Sequence, residues 1–318
     1  MPRVAVLNDY QQAAQQMTDW SVLPTGVEVQ IFQDHLRDQD AVVQRLKHFD
    51  IVMAMRERTP FPRSLLEQLP RLKLLTTTGM RNAAIDMRAA TDCGVLVCGT
   101  GGVLYPTAEL TWGLILSLLR HIPREDQATR VGQWQVSLGE GLSGKTLGLM
   151  GLGRLGAQVA KVGNAFQMDV IAWSQNLALQ RATECDVTLV SKDDLLACAD
   201  ILSIHLVLGK RSSGLIGSPE LGQMKPTAYL INTSRGPIVD EAALIDALQK
   251  GIIAGAGLDV FDEEPLARDH PLRNLDNTVI TPHIGYVTTE TYKIFFDETV
   301  ANIQAFLNGA PVRVLNPS

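Results

Sequence analysis

Short apolar runs alternate with amphipathic stretches over the first part of the chain. Continuous apolar runs are typical of strands that are covered on both faces. Four such runs occur: RVAVL at 3–7, IVMAM at 51–55, LKLLTTT at 72–78 and VLVCG at 95–99. Helix-like segments separate them at 36–49, 62–69 and 85–94, and Gly94 provides a helix stop. This alternation predicts a parallel, doubly wound α/β sheet.

A second series of alternating strands and helices is predicted after a middle region that is mainly helical. The pattern from Pro106 to about Trp134 predicts one long helix with a break near Pro123, and the glycine-rich segment 137–144 is interpreted as a linker. Strands are then predicted at 145–151, 170–173, 200–206, 227–233, 254–260 and 277–281. We expect one helix between an N-cap at Asp240 and Gly251, and a last amphipathic helix over 291–309 that returns to the first domain.

Composition and charge narrow the class of protein. The chain has 318 residues, 46% of them hydrophobic and 19% charged, with a net charge of −6, which fits two soluble domains. No block of Lys and Arg occurs, so we expect neither nucleic acid nor membrane as a partner. The four cysteines lack zinc spacing, so no metal is expected. The start MPRVAVLNDY lacks a signal-peptide core, and we expect a cytoplasmic protein.

A glycine motif begins the second series. The sequence GLGRLG lies between a predicted strand and a predicted helix, which is the context that a dinucleotide site requires. Gly151 would permit the tight turn, Gly153 would let the backbone approach a pyrophosphate, and Gly156 would let helix and strand pack closely. The N–H groups at the helix start, around Arg154 and Leu155, would bind phosphate. We therefore predict that this motif binds NAD or NADP.

Ser174 stands where an NAD site normally carries an acid, at the end of the next predicted strand. A carboxylate there would accept hydrogen bonds from both ribose hydroxyls and would repel a 2′-phosphate. Ser174, Gln175 and Asn176 can bond to either group and repel neither. Arg181 could reach a 2′-phosphate, although a solvated position on a helix is favoured for it. NADP is therefore permitted, and we lean towards NADPH.

Ionisable side chains follow three strands of the second series. Arg235, Glu264 and His283 come after the strands TAYLINT, AGAGLDV and NTVIT. Ligands bind beyond the carboxyl ends of parallel strands, so we expect all three on the cofactor side. Each alone has an ordinary explanation as a surface cation, a loop acid or a capped turn, but their joint occurrence favours a catalytic site. His205, at another strand end, is interpreted as structural.

These residue types suit hydride transfer to a carbonyl group. The alkoxide that forms needs a proton, and histidine is the natural donor near neutral pH. A neighbouring carboxylate would orient the ring and favour its protonated form. A planar guanidinium can grip the carboxylate of a 2-ketoacid through two hydrogen bonds.

Four stretches of the chain resemble the family of D-isomer-specific, NAD-dependent 2-hydroxyacid dehydrogenases. They are GKTLGLMGLGRLG, INTSRGPIVDEAAL, GLDVFDEEPL and TPHIG, and their order and spacing are highly specific. The resemblance covers nearly the whole chain and is strongest from Gly144 to Gly285. It implies two flavodoxin- or Rossmann-like doubly wound parallel-sheet domains. Residues 1–104 and 285–318 would form the substrate-binding domain and residues 105–284 the dinucleotide-binding domain.

The resemblance also implies roles for single residues. The arginine, glutamate and histidine already named become the catalytic trio. Asp259 is expected near the nicotinamide, with Thr233 and Ser234 lining its pocket. A homodimer built around the long helix is expected as well. In some relatives a tryptophan at the position of Trp134 reaches the partner's active site, and a role in the core is the alternative here.

The first domain departs from the family pattern. The family usually carries GxGxDNID, whose backbone amides meet the substrate carboxylate, whereas this chain has GMRNAAID at 79–86. Arg81 replaces the second glycine, so either the loop has a different shape or Arg81 supplies a new cation. The candidate substrate-binding residues are Gly79, Met80, Arg81 and Arg56. Arg58 is a further candidate, for which an ordinary surface role is favoured.

These observations predict an NAD(P)-dependent D-2-hydroxyacid dehydrogenase that reduces a small 2-ketoacid such as glyoxylate or hydroxypyruvate. Two alternatives stay open. Formate dehydrogenase shares the fold but pairs the histidine with glutamine, so Glu264 argues against it. A non-catalytic NAD(H)-sensing module, like the corepressors of this superfamily, also retains the trio, but this chain has no extended tails or basic segments.

Overall fold

A computed structural model describes residues 1–316 and divides the chain into two compact units. The first unit contains Met1–Val103 together with the chain from Val287 onwards. The second unit contains Leu104–Tyr286. Within the described residues, no helix is both long enough and apolar enough to cross a membrane.

Each unit is built on an all-parallel sheet. The strands of the first unit are β1 (Arg3–Val6), β2 (Glu28–Ile31), β3 (Ile51–Ala54), β4 (Leu74–Thr77) and β5 (Leu96–Gly99). The strands of the second are β6 (Thr146–Met150), β7 (Asp169–Trp173), β8 (Thr188–Leu189), β9 (Ile201–Ile204), β10 (Tyr229–Asn232), β11 (Gly255–Leu258) and β12 (Thr278–Ile280). The sheets have the orders β2-β1-β3-β4-β5 and β12-β11-β10-β9-β6-β7-β8. These are the flavodoxin-like and the dinucleotide-binding orders, which confirms the predicted fold class.

Helices connect most successive strands in both units. The helices within Met1–Val103 of the first unit are α1 (Ala14–Met17), α2 (Gln39–Leu46), α3 (Arg63–Leu66) and α4 (Met87–Asp92). The second unit contains α5 (Pro106–Leu119), α6 (Ile122–Arg130), α7 (Arg154–Ala165), α8 (Leu179–Glu184), α9 (Lys192–Cys198), α10 (Ser218–Leu221) and α11 (Glu241–Gln249). The last helix, α12 (Thr289–Leu307), lies in the first unit.

The predicted break in the long middle helix is confirmed, but its predicted extension to about Trp134 is wrong, because α6 ends at Arg130. α5 ends at Leu119, and His121 adopts a left-handed backbone conformation with φ of 50° directly before α6. Pro123 then occupies the first turn of α6, where its missing N–H costs nothing. No regular structure continues to Trp134, and residues 137–144 connect α6 to β6 within the second unit.

The sequence missed two strands, both at sheet edges. β2 has half-exposed residues in the pattern EVQI, and β8 has only two residues. Edge strands bury little apolar surface, so they lack the continuous apolar run that marks strands such as β3 and β4. The other predicted strands occur within two or three residues of their expected bounds.

The helix α12 packs on the first unit through aromatic side chains. Phe296 is fully buried and meets Trp20 edge-on, with 6.4 Å between the ring centroids. Polar contacts fix the same helix: the amide of Asn302 donates to the carbonyl of Gly99 at 2.9 Å, and Glu298 accepts from the backbone of Gly101 at 2.5 Å. The chain thus returns to the sheet where it began.

Gly163 shows how closely helix and sheet approach in the second unit. It is a buried residue of α7, and a methyl group there would lie 2.7 Å from Cδ2 of Leu147 and 3.2 Å from Cγ2 of Val170. Those side chains belong to β6 and β7, so a methyl group at Gly163 would force the buried side chain of Leu147 to move. The last turn of α7 is thereby held against the beginnings of β6 and β7.

We expect Gly163→Ala to destabilise the protein, although alanine favours helices. The methyl group overpacks the interface, which costs about 1–3 kcal/mol. Gly113→Ala is the matched control, because Gly113 in α5 has open space where the methyl group would stand and should gain up to about 1 kcal/mol. Urea unfolding followed by circular dichroism measures both. A Gly163→Ala protein as stable as the control would contradict this account of the packing.

Candidate active site

Backbone geometry explains each glycine of the loop between β6 and α7. Gly151 has a φ of 106°, and a methyl group there would lie 2.7 Å from the carbonyl oxygen of His205. A methyl group on Gly156 would lie 2.2 Å from the carbonyl oxygen of Gly151. Gly153 has no atom within 4 Å of that position, so its surroundings are open. Two glycines therefore close the turn, and the third leaves room for a ligand to approach the backbone.

The first turn of α7 has backbone N–H donors that no N-cap side chain accepts from. Arg154 and Leu155 begin the helix, and the N-cap residue Gly153 has no side chain to accept from them. The helix dipole adds partial positive charge at this end. The open Gly153 and these donors together fit the pyrophosphate of a dinucleotide.

Ser174 lines a cleft of about 450 Å³ in the second unit. Gln175 and Asn176 line the same side, directly after β7. Arg181 is engaged elsewhere, since its Nε donates to the carbonyl of Leu152 at 3.3 Å and its Nη1 lies 3.5 Å from Glu184.

The structure pairs His283 with Glu264. Nδ1 of His283 lies 2.5 Å from Oε2 of Glu264, and Oε1 of that glutamate accepts from the backbone N–H of Phe261 at 3.0 Å. The imidazole also meets the ring of Tyr286 edge-on at 5.5 Å. Because Nδ1 is used by the carboxylate, Nε2 is the nitrogen left to act on a substrate.

Asp259 holds the turn that carries His283. Its buried carboxylate accepts from the hydroxyl of Thr281 at 2.6 Å and from the N–H groups of Ile284 and Gly285, each at 2.8 Å. Burial raises the pKa of Asp259, and these hydrogen bonds oppose that rise. The three donors flank His283 on both sides. They hold it in a left-handed conformation with φ of 54° that few residues adopt.

Arg235 follows β10, and its loop is fixed by hydrogen bonds from Asn232. The side chain of Asn232 accepts from the N–H of Ser234 and donates to the carbonyl of Arg235, both at 3.0 Å. A methyl group on the next residue, Gly236, would lie 2.1 Å from the backbone of Phe261. The loop of Arg235 therefore packs directly against the loop that carries Glu264, as neighbouring parallel strands require.

The helix α5 contacts this edge of the sheet through two hydroxyl groups. Thr107 donates to the carbonyl of Gly285 at 3.0 Å, and Thr111 lies 2.9 Å from the hydroxyl of Thr233. The hydroxyl of Ser234 donates to the carbonyl of Ile204, at the end of β9, at 2.9 Å. The sequence analysis missed Thr107 and Thr111, although their spacing of four residues on a predicted helix was a usable signal.

The candidate substrate loop lies in the first unit, after β4. Gly79 has a φ of 87°, and a methyl group there would lie 2.0 Å from Nη1 of Arg56. The same Nη1 donates to the carbonyl of Thr78 at 3.1 Å, so the guanidinium packs on the loop backbone. Met80 and Arg81 are exposed at the tip. Arg56 therefore shapes the loop, and Arg81 is the cation that the loop itself presents.

Arg58 does not fit the surface role that the sequence favoured. Its Nη1 donates to the carbonyl of Asn8 at 2.9 Å, and its guanidinium lies 4.6 Å from the ring centroid of Tyr10. It ties the end of β3 to the end of β1, which the sequence could not indicate because those strands are far apart along the chain.

Trp134 lies on the surface of the second unit, where 78% of its side chain is exposed. The alternative that it belongs to the core is wrong.

Within the described residues, no group of three or more His, Cys, Asp or Glu side chains could hold a metal ion.

His205 is a neutral histidine behind the glycine loop. Its Nε2 lies 2.9 Å from the hydroxyl of Ser203, and its Nδ1 is buried with no hydrogen-bond partner among the described residues. Burial lowers the pKa of His205 to about 4. Its backbone carbonyl lies against Gly151, so the residue supports the loop, in line with the structural interpretation.

Comparisons with known proteins agree on one family. A family model described as D-isomer specific 2-hydroxyacid dehydrogenase, NAD binding domain, matches residues 112–285. A glyoxylate reductase of Aeropyrum pernix is 42% identical over 263 residues, which are 79% of this chain and 78% of that protein. A hydroxypyruvate reductase of Blautia hydrogenotrophica is 31% identical over 315 residues, covering 94% and 95%. The crystal structure of a phosphoglycerate oxidoreductase from Vibrio cholerae has a TM-score of 0.93 at 35% identity, covering 98% and 100%.

The lowered pKa of His205 predicts a loss of stability in acid. Between pH 6.5 and about pH 4 the unfolded chain binds a proton on this residue that the folded chain does not, so stability falls as the pH falls. The slope is at most about 1.4 kcal/mol per pH unit. His205→Gln, which cannot titrate but retains a polar group, should have a shallower slope than wild type in urea unfolding at pH 7, 6 and 5. His48→Gln, at an exposed position, is the control. Equal slopes in all three proteins would exclude this role for His205.

Proposed function

The chain belongs to the D-isomer specific 2-hydroxyacid dehydrogenase family, and we propose that it reduces a small 2-ketoacid to the D-2-hydroxy acid. The protein is an NAD(P)-dependent oxidoreductase, as its family and its glycine loop require. Substrates of the size of glyoxylate and hydroxypyruvate are favoured, since relatives over 79% and 94% of the chain carry those names. The observation that carries the proposal is the pair of His283 and Glu264 in the unit that holds the glycine loop.

His283 is the proton donor in the proposed reaction. When bound, the reduced nicotinamide supplies a hydride to the keto carbon. Nε2 of His283 then gives its proton to the oxygen as negative charge develops there. Glu264 accepts from Nδ1, which fixes the orientation of the ring and stabilises the positive charge of its protonated form. In the direction of oxidation, the same nitrogen takes the proton back.

Arg235 binds the carboxylate and the carbonyl of the substrate. A guanidinium can donate two parallel hydrogen bonds to a carboxylate, which fixes the direction in which the carbonyl points. Its loop is held by Asn232, so the cation is placed by the fold before substrate arrives. Asp259 positions His283, and Thr233 and Ser234 line the space for the nicotinamide beside it.

The two alternative functions are less well supported. A formate dehydrogenase would pair the histidine with glutamine, whereas the partner here is Glu264. A non-catalytic sensor of NAD(H) would retain the same trio, but relatives that cover most of this chain are named as enzymes, either reductases or D-3-phosphoglycerate dehydrogenases. All four cysteines are free thiols, which suits a reducing cytoplasm.

NADPH is the dinucleotide that we favour. The end of β7 carries Ser174 in the place of a carboxylate, so nothing at that position repels a 2′-phosphate. Arg181, the cation considered first, is engaged with Leu152 and Glu184 and does not supply the attraction.

A homodimer is supported by a run of exposed apolar side chains. Val131, Trp134 and Leu138 are 75%, 78% and 92% exposed, and Ile122 of the preceding helix is 50% exposed. Apolar side chains this exposed and this close along the chain are unusual on a monomer. A second copy of the chain would cover them.

Turnover of glyoxylate, pyruvate, hydroxypyruvate and phenylpyruvate, each with NADH and with NADPH, tests the proposed function. We expect oxidation of the dinucleotide with at least one of the small ketoacids. His283→Asn should lower kcat by about a hundredfold or more, because the proton donor is lost while asparagine tolerates the left-handed backbone. His270→Asn is the matched control, since His270 also pairs with a glutamate, Glu241, at 3.0 Å but outside the trio. Full activity of His283→Asn would refute the assignment, and failure with all four ketoacids would favour the sensor.

Charge in the exposed apolar segment should separate the proposed dimer. Trp134→Glu with Leu138→Glu replaces two exposed side chains, so the fold of each monomer should change little. Sedimentation equilibrium should give a dimer for wild type and a monomer for this double variant. Leu179→Glu is the matched control and should remain a dimer, because Leu179 is a leucine of the same unit that is 68% exposed but lies outside this segment. A monomeric wild-type protein, or a dimeric double variant, would contradict the interface.

A further inference from the structure

Two loops of the second unit face each other across the cleft that contains Ser174. One loop follows β7 and provides Ser174, Gln175 and Asn176. The other follows β9 and runs from Leu206 to Ser212. β6 lies between these two strands in the sheet, so the cleft opens beside the glycine loop, at the point where the strand order reverses. This is where an open α/β sheet binds its ligand.

The second loop holds two cations at the tip of a turn. The N–H of Ser212 donates to the carbonyl of Gly209 at 3.0 Å, which makes Lys210 and Arg211 the two central residues of the turn. The hydroxyl of Ser212 closes the base of the loop, because it donates to the carbonyl of Val207 at 2.7 Å and accepts from the N–H of Gly209 at 2.9 Å. The cations are therefore carried by a fixed backbone, although their side chains are exposed.

No acidic side chain neutralises this pair. Neither Lys210 nor Arg211 forms an ion pair with a carboxylate of residues 1–316, whereas Lys192, Lys225 and Lys250 of the same unit each do. The residues that line the cleft, within the described part of the chain, include no Asp or Glu. On a protein with a net charge of −6, this is a local positive site.

The polar groups on the opposite side suit a phosphate monoester. The hydroxyl of Ser174 and the amides of Gln175 and Asn176 can all donate hydrogen bonds, and none of them carries negative charge. The pyrophosphate of a dinucleotide has its own donors at the start of α7, so it does not account for Lys210 and Arg211. The remaining phosphate of a dinucleotide is the one on the 2′-hydroxyl of the adenosine ribose.

We propose that Lys210 and Arg211 bind the 2′-phosphate of NADP(H) across the cleft from Ser174, and that this loop gives the enzyme its preference for NADPH. The proposal rests on the dehydrogenase function proposed above and names the residues that select its cofactor. Attraction comes from the loop after β9, and the missing carboxylate after β7 removes the opposing repulsion. Both loops are needed for this preference. In an ordinary NAD site the position of Ser174 carries an acid, which would repel the 2′-phosphate even if Lys210 and Arg211 were present.

Direct binding measurements test this site without any turnover. Dinucleotide affinity is measured by fluorescence titration for wild type, for the double variant Lys210→Ala with Arg211→Ala, and for Lys161→Ala. Lys161 is an exposed cation of α7 that does not line the cleft. We expect wild type to bind NADPH more tightly than NADH. In the double variant the ratio of the Kd for NADPH to that for NADH should rise by about tenfold or more, and in the control by less than about twofold.

Nucleotide fragments isolate the phosphate from the nicotinamide. In competition with a bound dinucleotide, 2′,5′-ADP should bind wild type more tightly than 5′-ADP, and the double variant should lose this difference. Raised salt should weaken 2′,5′-ADP more than 5′-ADP, because the additional contact is electrostatic and exposed. Ser174→Asp, which restores the acid without touching the cationic loop, should raise the Kd ratio in the same direction, and it remains informative if the double variant folds poorly.

The outcomes separate this proposal from the proposed function. Tighter binding of NADH than of NADPH by wild type, or a Kd ratio unchanged in the double variant, would overturn the 2′-phosphate site. In that case the proposed function, reduction of a 2-ketoacid, would not be contradicted, because NADH could supply the hydride. Binding of neither dinucleotide would overturn the dehydrogenase function and this inference together.

Discussion

The parallel arrangement of the second sheet is the constraint on which the candidate site depends. Because β6, β7, β9, β10, β11 and β12 all run in one direction, their carboxyl ends meet at one edge. Each strand is short, four residues in β9, β10 and β11, so a side chain one to six residues beyond it is still close to that edge. The register, which places Tyr229 beside both Ile201 and Gly255, keeps these ends level. The sheet thereby brings residues that are far apart along the chain to one edge.

Buried polar side chains then convert this edge into a defined geometry. Asp259 accepts three hydrogen bonds from the turn around His283, and Asn232 makes two within the loop of Arg235. Both residues are 1% exposed. A buried polar group that is satisfied only in one arrangement of its loop disfavours every other arrangement. The groups that we assign to catalysis are therefore placed by residues that do not react.

Much of the fold and part of the site could be predicted from the sequence. Fully buried strands such as β3 and β10 leave continuous apolar runs, and the glycines of the loop leave a spaced motif, so both were recognised. The edge strand β2 and the role of Arg58 were not, because they depend on exposure at a sheet edge and on a contact with Asn8. The pair Lys210 and Arg211 was overlooked for a similar reason, since two adjacent cations in a loop look like ordinary surface residues.

By itself the sequence determined the class of fold, the family, the glycine loop and the residue types at the strand ends. These follow from local periodicity and from motifs whose spacing the backbone imposes. Only the tertiary structure decided which side chains meet: that His283 pairs with Glu264, that Arg181 is engaged with Leu152, and that Lys210 faces the cleft of Ser174. The reason is physical, since spacing along the chain fixes a residue's place on its own strand or loop. The partner across a cleft is fixed by sheet order, by register and by the turn that ends the neighbouring strand.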